Sequence, residues 1–436
     1  MRTRRFIGFG LLWIGLALSM LSSAQAFERL ATRTGLKAVY HLNIPDRDTV
    51  QLHLVFHTGE SDLSGPEGLA HYVEHLVAMH IRGRASETLT VHRSNASTNS
   101  RLTTYWQEGP AAERDELFTK LARAFERPDL PRDVMLRERA VVAREYDLRV
   151  SENPEFRFYT RLGKVLYAGK PIGRSVIGTP QSIGSLTIED AFAHYRRTHV
   201  PANATLVIAG DITRGDAVRL VEKQFGSIAG GKAPGRGWMT DIPGGTERID
   251  IRHADSQVEA GSVFHRKIVR FPGHGRIQLA QIAGQLKQIL TSSLPGSLAG
   301  PLRYDAAIVS QFRLELSVLT SDVLEISFWA KPETGNSFER VVETYEGALR
   351  RLAATGLPEA SVRRSVSRTV KRVRRLSDRP GARMAAASIW LAHDTPPPSA
   401  RQALAGIEAV SKADLDRLLQ AMVRPGRSVV GFITPE

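Results

Sequence analysis

The sequence contains no cysteine, which excludes disulfides, thiol catalysis and thiolate metal ligands, so any metal must be held by imidazole and carboxylate. Aromatic residues are sparse at 7%, and no aromatic platform for single-stranded nucleic acid, phosphate-cradling glycine loop or zinc-finger spacing is found. Nucleic acid is therefore not an expected partner. Acidic residues are outnumbered, 45 against 59 lysines and arginines, for a formal net charge of +14. The excess is spread widely, and a solvated basic surface is its plain reading. Beyond residue 21 no apolar run is long enough to span a bilayer. What is present is ordinary globular composition: 436 residues, 42% hydrophobic and 24% charged, enough for a core and for two or three domains.

Residues 1–26 read as a cleaved signal peptide. A basic MRTRR start is followed by an apolar stretch from Phe6 to Leu21 and by Ala24-Gln25-Ala26, which fits the A-x-A cleavage pattern. The mature chain would begin at Phe27 and reside in the periplasm, with retention as an inner-membrane anchor the alternative.

Compared with itself at an offset of 224, the chain matches residues 182–209 to residues 406–433. In each copy a hydroxyl residue, Thr187 or Ser411, stands where it can cap a helix whose third position is a carboxylate, Asp190 or Asp414. Each helix runs out at a proline, Pro201 or Pro425, before an apolar strand, Ala204–Ala209 or Ser428–Ile433. The Gly- and Pro-rich stretch between Phe225 and Gly245 has linker composition. Alternation predicts strands at Val50–Phe56 and Phe312–Trp329, the latter turned into a hairpin by Thr320-Ser321-Asp322, and a helix over Ser337–Ala354 closed by Gly356. The expected fold is α+β: two homologous domains, each a mostly antiparallel sheet packed with helices, at 27–225 and 247–436 with a linker at 226–246.

Chemistry concentrates in His71-Tyr72-Val73-Glu74-His75, an H-x-x-E-H sequence, the inverse of the zinc-peptidase H-E-x-x-H. On a helix, residues i and i+4 share a face, so His71 and His75 aim their imidazoles at one point with Glu74 beside them. A hydrolytic zinc site needs a third protein ligand and an open position. The segment from Arg137 to Glu145 offers Glu138 and Glu145, nearly two helical turns apart on a stripe shared with Val141, Val142 and Leu148. Carboxylates facing an interior are costly unless paired or metal-bound, although pairing with Arg139 or Arg144 in solvent is the plain alternative.

These segments resemble the pitrilysin, insulinase and mitochondrial processing peptidase family of inverted-motif zinc peptidases, along essentially the whole mature chain. GLAHYVEH resembles the family's metal helix and ERAVVAREYD the downstream helix that gives the third ligand. The resemblance thus implies one Zn2+ on His71, His75 and Glu145, with Glu74 as catalytic base and Glu138 in support. Asn95-Ala96-Ser97-Thr98 and Thr103-Thr104-Tyr105 resemble its substrate-lining strand, with His92, Arg93 and Ser94 where glycines are usual. Pro301-Leu302-Arg303 resembles a substrate-binding Leu-Arg segment whose later Tyr is missing here, Tyr304 following directly. The resemblance implies a half-clamshell that pairs as a homodimer, or as a heterodimer with a related half-shell, around peptide substrates. No H-x-x-E-H follows the linker, where His253, His265, His274 and His393 are scattered.

The function so implied is zinc-dependent endopeptidase hydrolysis of peptides or unfolded polypeptides. Its rivals are a non-catalytic accessory half-shell and a basic surface-binding protein. The latter would use the amphipathic helix expected around Arg363, Arg364, Arg368, Lys371, Arg372, Arg374 and Arg375, for which a solvated face is favoured over membrane contact. His53 and His57 share one face of the Val50–Phe56 strand and are expected to be filler, exposed or covered by a helix, rather than ligands.

Overall fold

The computed structural model describes residues 26–83, 93–237, 241–377, 379–392 and 394–436; residues 1–25 of the expected leader, His92 and His393 lie outside them. The first half runs β1 (Glu28–Arg29), β2 (Ala38–Asn43), β3 (Thr49–Phe56), α1 (Leu69–Arg82), β4 (Arg93–Thr98), β5 (Thr103–Pro110), α2 (Arg114–Ala122), α3 (Arg132–Tyr146), α4 (Pro154–Leu166), α5 (Pro180–Ser185), α6 (Ile188–Thr198), β6 (Ala204–Gly210) and α7 (Arg214–Phe225). The second runs β7 (Arg248–Ala254), β8 (Ser262–Arg270), α8 (Arg276–Leu290), β9 (Val309–Val318), β10 (Val323–Pro332), α9 (Phe338–Thr355), α10 (Glu359–Ser377), α11 (Pro380–Ala392), α12 (Ala400–Glu408), α13 (Lys412–Val423) and β11 (Ser428–Thr434).

The expected local signals form as elements. Thr187 and Ser411 accept from the backbone N–H of Asp190 and Asp414 at the starts of α6 and α13, caps that contribute about 1 kcal/mol each. The hairpin of β9 and β10 forms in antiparallel register, and α9 ends at Gly356, φ +74°, a left-handed position that favours glycine.

Duplication is plainer in topology than in identity. The sheets run β1-β2-β6-β3-β5-β4 and β7-β11-β8-β10-β9. In each, one parallel pair, β2 with β6 or β7 with β11, leads into an antiparallel run. Apart from β1 and α7, the element orders correspond one to one, α1 with α8, α3 with α10 and α4 with α11. One face of each sheet takes helices of its own half: α1, α2, α6 and α7 on the first, α8, α9 and α13 on the second. The other face takes a helix from the opposite half. Phe158, Leu162 and Leu166 of α4 pack on Phe264, Ile268, Val429 and Ile433, and Met384, Ala387 and Leu391 of α11 pack on Tyr40, Leu42, Val55 and Val207.

This exchange of helices buries the second face of each sheet and binds the halves together. Polar contacts add to it. Asp394, just past α11, meets Arg236 at 2.9 Å, Arg276 at 3.2 Å and His57 at 3.3 Å, while Arg101 donates to the carbonyls of Val318 and Leu319. His57, covered by this helix, also bonds Thr205 at 2.9 Å, and His53 stacks on Trp106.

Candidate metal centre

Helix α1 starts at Gly68, φ +88°, where a Cβ would come within 3.0 Å of Gly178, so backbone conformation and close approach both call for glycine. Its first turn has no side-chain cap. Instead the buried Glu60 accepts from Ala70 N–H and is itself gripped by Arg174 at 2.7 Å. The apolar side of α1, with Tyr72, Val73, Leu76 and Val77 all buried, fixes the helix in the first core, and the Tyr72 hydroxyl donates to the Met135 carbonyl of α3 at 2.8 Å. With α1 and α3 so joined, their polar residues meet.

His71 Nε2 and His75 Nε2 lie 3.2 Å apart. Glu145, in the last turn of α3, brings its carboxylate to 3.5 Å from His71 and 3.9 Å from His75, and one ligand atom from each of the three falls within 4.8 Å of the others. Glu138 approaches the far nitrogen of His75, Nδ1, at 2.7 Å. A carboxylate there holds the proton on Nδ1 and leaves the Nε2 lone pair directed at the convergence point. Burial, with the nearby His75 charge, pushes the pKa of His71 down to about 3, so its imidazole is neutral and ready to ligate. For His75 burial acts downward, but the Glu138 hydrogen bond and the charges of Glu74, Glu145 and Glu138 outweigh it and raise the pKa. Glu145 Oε2 is buried with no hydrogen-bond partner among the described residues; the guanidinium of Arg149 stands 3.5 Å from it as an ion pair, too far for a hydrogen bond, so the oxygen still lacks a donor and can serve as a ligand. Two imidazoles and a carboxylate form a donor set suited to zinc, and these residues fit one.

Glu74 lies buried beside them. Burial pushes its pKa up, partly opposed by His75 and by a hydrogen bond with Thr98 of β4. These residues line a cavity of about 1140 Å³, shared with Asn95 and Ala96 of β4 and with Leu148 and Phe156 at its rim. The strand β4 forms despite the replaced glycines, pairing with β5 along its length. The far wall comes from α4 and the second sheet. There Arg266 of β8 meets Glu325 at 2.7 Å and the Tyr159 carbonyl at 2.9 Å, with the Tyr167 hydroxyl donating to the same carboxylate. Nothing near Arg266 or Arg174 in sequence marks either as part of the site.

Arg303 and Tyr304 are not brought to this cavity. They sit on a π-helical turn, Gly300–Tyr304, whose Leu302 is inserted into the second core against β9 and α9. That anchoring leaves both neighbours at the surface, Tyr304 61% exposed, outside the lining of this cavity. No second metal cluster occurs among the described residues. The counterpart of α1, α8, has no histidine or acid, and where α3 sends Glu138 to α1, α10 sends Ser365 and Thr369 to Gln285 and Gln288 of α8.

Residues 185–369 match a family model described as the peptidase M16 inactive domain. A zinc protease, PqqE, of Helicobacter pylori is 25% identical over 235 residues, 52% of this chain and 53% of that protein. A probable mitochondrial-processing peptidase subunit beta of Schizosaccharomyces pombe is 26% identical over 167 residues, 37% of this chain and 36% of that one. The chain thus spans about half or less of these relatives' length. Among solved structures, a protease from Helicobacter pylori superposes with a TM-score of 0.81 at 19% identity, covering 94% of this chain and 99% of that one. The periplasmic protease PqqL of Escherichia coli superposes at 0.76 and 14% identity, covering 94% of this chain and 48% of that one. At these identities the superpositions speak for the shared fold alone.

Proposed function

The chain belongs to the M16 family of zinc-protease-like proteins, that of pitrilysin, insulinase and the mitochondrial processing peptidases, and from that premise we propose that it is a zinc metalloendopeptidase of peptides or unfolded polypeptides. The observation that carries this reading is the convergence of His71, His75 and Glu145 within 4.8 Å, with Glu138 behind His75 and Glu74 in the same cavity. Zinc held by those three residues would supply Lewis acidity, polarising a peptide carbonyl and making water a stronger acid. The chain's own groups do the rest. Glu74, its basicity raised by burial, takes the proton of the attacking water on a carboxylate oxygen and passes it to the leaving amine. Glu138 orients His75. Asn95 and Ala96, on the edge strand β4, border the cavity where an extended peptide would lie.

In this reading residues 27–225 are the catalytic domain, 226–246 the linker and 247–436 a metal-free domain. The matched inactive-domain model covers residues 185–369, downstream of all three ligands, from the end of the first domain through most of the metal-free one. It also favours the second reading, an accessory half-shell that cuts nothing itself. The leader-like start supports a periplasmic setting, with inner-membrane anchoring the alternative; among the described residues no helix is long and apolar enough to cross a membrane. A facing half-shell, a second copy or a related chain, would complete the chamber, and light scattering across a size-exclusion peak with activity read on each fraction tests it: full activity from a dilute monomer would overturn the paired form.

The deciding experiment is zinc content and peptide hydrolysis of wild type and Glu74→Gln. The variant should keep stoichiometric zinc and lose about 10² to 10⁴-fold in turnover. Undiminished turnover would remove Glu74 as the base, and a zinc-loaded wild type that cleaves nothing would favour the accessory reading.

A further inference from the structure

Residues 359–392 hold nine lysines and arginines against two acids, half of the chain's net charge in one short stretch. The structure sorts them. On α10, Val362, Ser365, Thr369 and Val370 are buried, with Ser365 and Thr369 tied to Gln285 and Gln288 of α8 at 2.8 and 2.6 Å, so the inward face is fixed. The outward face carries Arg364, Arg368, Lys371, Arg372 and Arg375, all exposed, in one stripe about 16 Å long at 1.5 Å per residue. Among the described residues none of these five pairs with a carboxylate. A solvated helix ordinarily mixes the signs of its charges along such a face.

The helix that follows is different in kind and touches α10. Its inner side, Met384, Ala387 and Leu391, lies on the first sheet. Its outer side presents Ala385, Ala386 and Ile389, the last 61% exposed, with no acid anywhere along the helix. Phe27 packs in the same cluster and under the Arg383 guanidinium at 5.5 Å.

We propose that α10 and α11 form a docking surface for an anionic lipid bilayer, the arginine stripe meeting the headgroups and the Ile389 face entering the interface. Charge complementarity selects an anionic partner. The adjoining outward apolar face selects a bilayer over a soluble polyanion, which gains nothing from burying alkyl groups. This surface is separate from the metal centre, and the inference does not depend on the peptidase reading.

The test is co-sedimentation of the full chain with vesicles of phosphatidylcholine alone or with phosphatidylglycerol, comparing wild type, Arg364→Gln/Arg368→Gln/Arg372→Gln and Ile389→Ser, folding checked by circular dichroism. Any leader contributes alike to all three, so the differences report the surface. Each cation near an anionic surface is worth roughly fivefold in partitioning, so the triple variant should lose about 100-fold on anionic vesicles. Wild-type binding should fall steeply with salt and be weak on phosphatidylcholine. Ile389→Ser should weaken vesicle binding and leave binding to heparin unchanged. Equal partitioning to both vesicle types, an unaffected triple variant, or an Ile389→Ser variant that binds vesicles like wild type would overturn the proposal, the last pointing to a soluble polyanion.

Discussion

Replacing Glu138 by glutamine tests the arrangement behind the metal ligands more sharply than deleting a ligand. Glutamine preserves length and an acceptor oxygen while removing the charge that faces His75 Nδ1 at 2.7 Å. The Glu138 side chain is 17% exposed and that of His75 14%, so solvent screens their bond only partly, and a charge-assisted hydrogen bond in such a setting contributes about 1.5–3 kcal/mol. Zinc affinity should accordingly fall about 10- to 100-fold, the range typical of carboxylates that support a ligating imidazole. Glu145→Gln, which alters a ligand itself, should cost more. The pH dependence carries a definite sign. In the wild type the pKa of His75 is raised, so as pH falls the metal must displace a proton from it. Glu138→Gln removes part of that elevation, so its imidazole sheds the proton more readily in acid. The ratio of variant to wild-type Kd should therefore shrink between pH 8 and pH 6. Competitive titration against a chromophoric zinc chelator at several pH values measures both quantities. An unchanged Kd in Glu138→Gln, or a ratio that grows in acid, would refute the reasoning.

Two further outcomes concern the scaffold. A Cβ at Gly431, in the middle of β11, would meet Leu162 Cδ1 at 2.5 Å and Phe158 Cε1 at 2.7 Å, so Gly431→Ala should overpack the α4 contact and cost about 1–3 kcal/mol. Leu162→Ala should relieve it, making the double variant less than additive in chemical denaturation; strict additivity would show that α4 does not press on this strand. His265 is driven down to a pKa of about 3, first by burial and then by Lys267 and Arg248. Below its unfolded pKa of about 6.5 the unfolded chain binds a proton that the folded chain refuses until about pH 3, so stability falls with pH across that window, by up to about 1.4 kcal/mol per unit for this group. Denaturation of His265→Gln between pH 6 and 4 should show a slope shallower by close to one proton, and an identical slope would remove His265 from the acid response.

Features that depend on neighbours along the chain were legible before folding was considered. The four-residue spacing of His71 and His75 is a property of one helix, and the seven-residue spacing of Glu138 and Glu145 of another. The caps at Thr187 and Ser411, the hairpin at Thr320–Asp322 and the amphipathic pattern of α10 are equally local. The family resemblance supplied the link between the two carboxylates and the two histidines. Where distant surfaces meet was fixed by packing in three dimensions. It set Glu138 against His75 across 63 positions by packing Tyr72 on α3, and built the far wall of the cavity from α4 and from Arg266, which Glu325 holds from behind. It left Arg303 and Tyr304 outside because Leu302 is drawn into a different core. The exchange of α4 and α11 between the sheets was equally beyond local reading. Their apolar faces state that something must be covered, but burial is non-directional, and which sheet each helix covers is settled by the shapes of surfaces that exist only once both halves have folded.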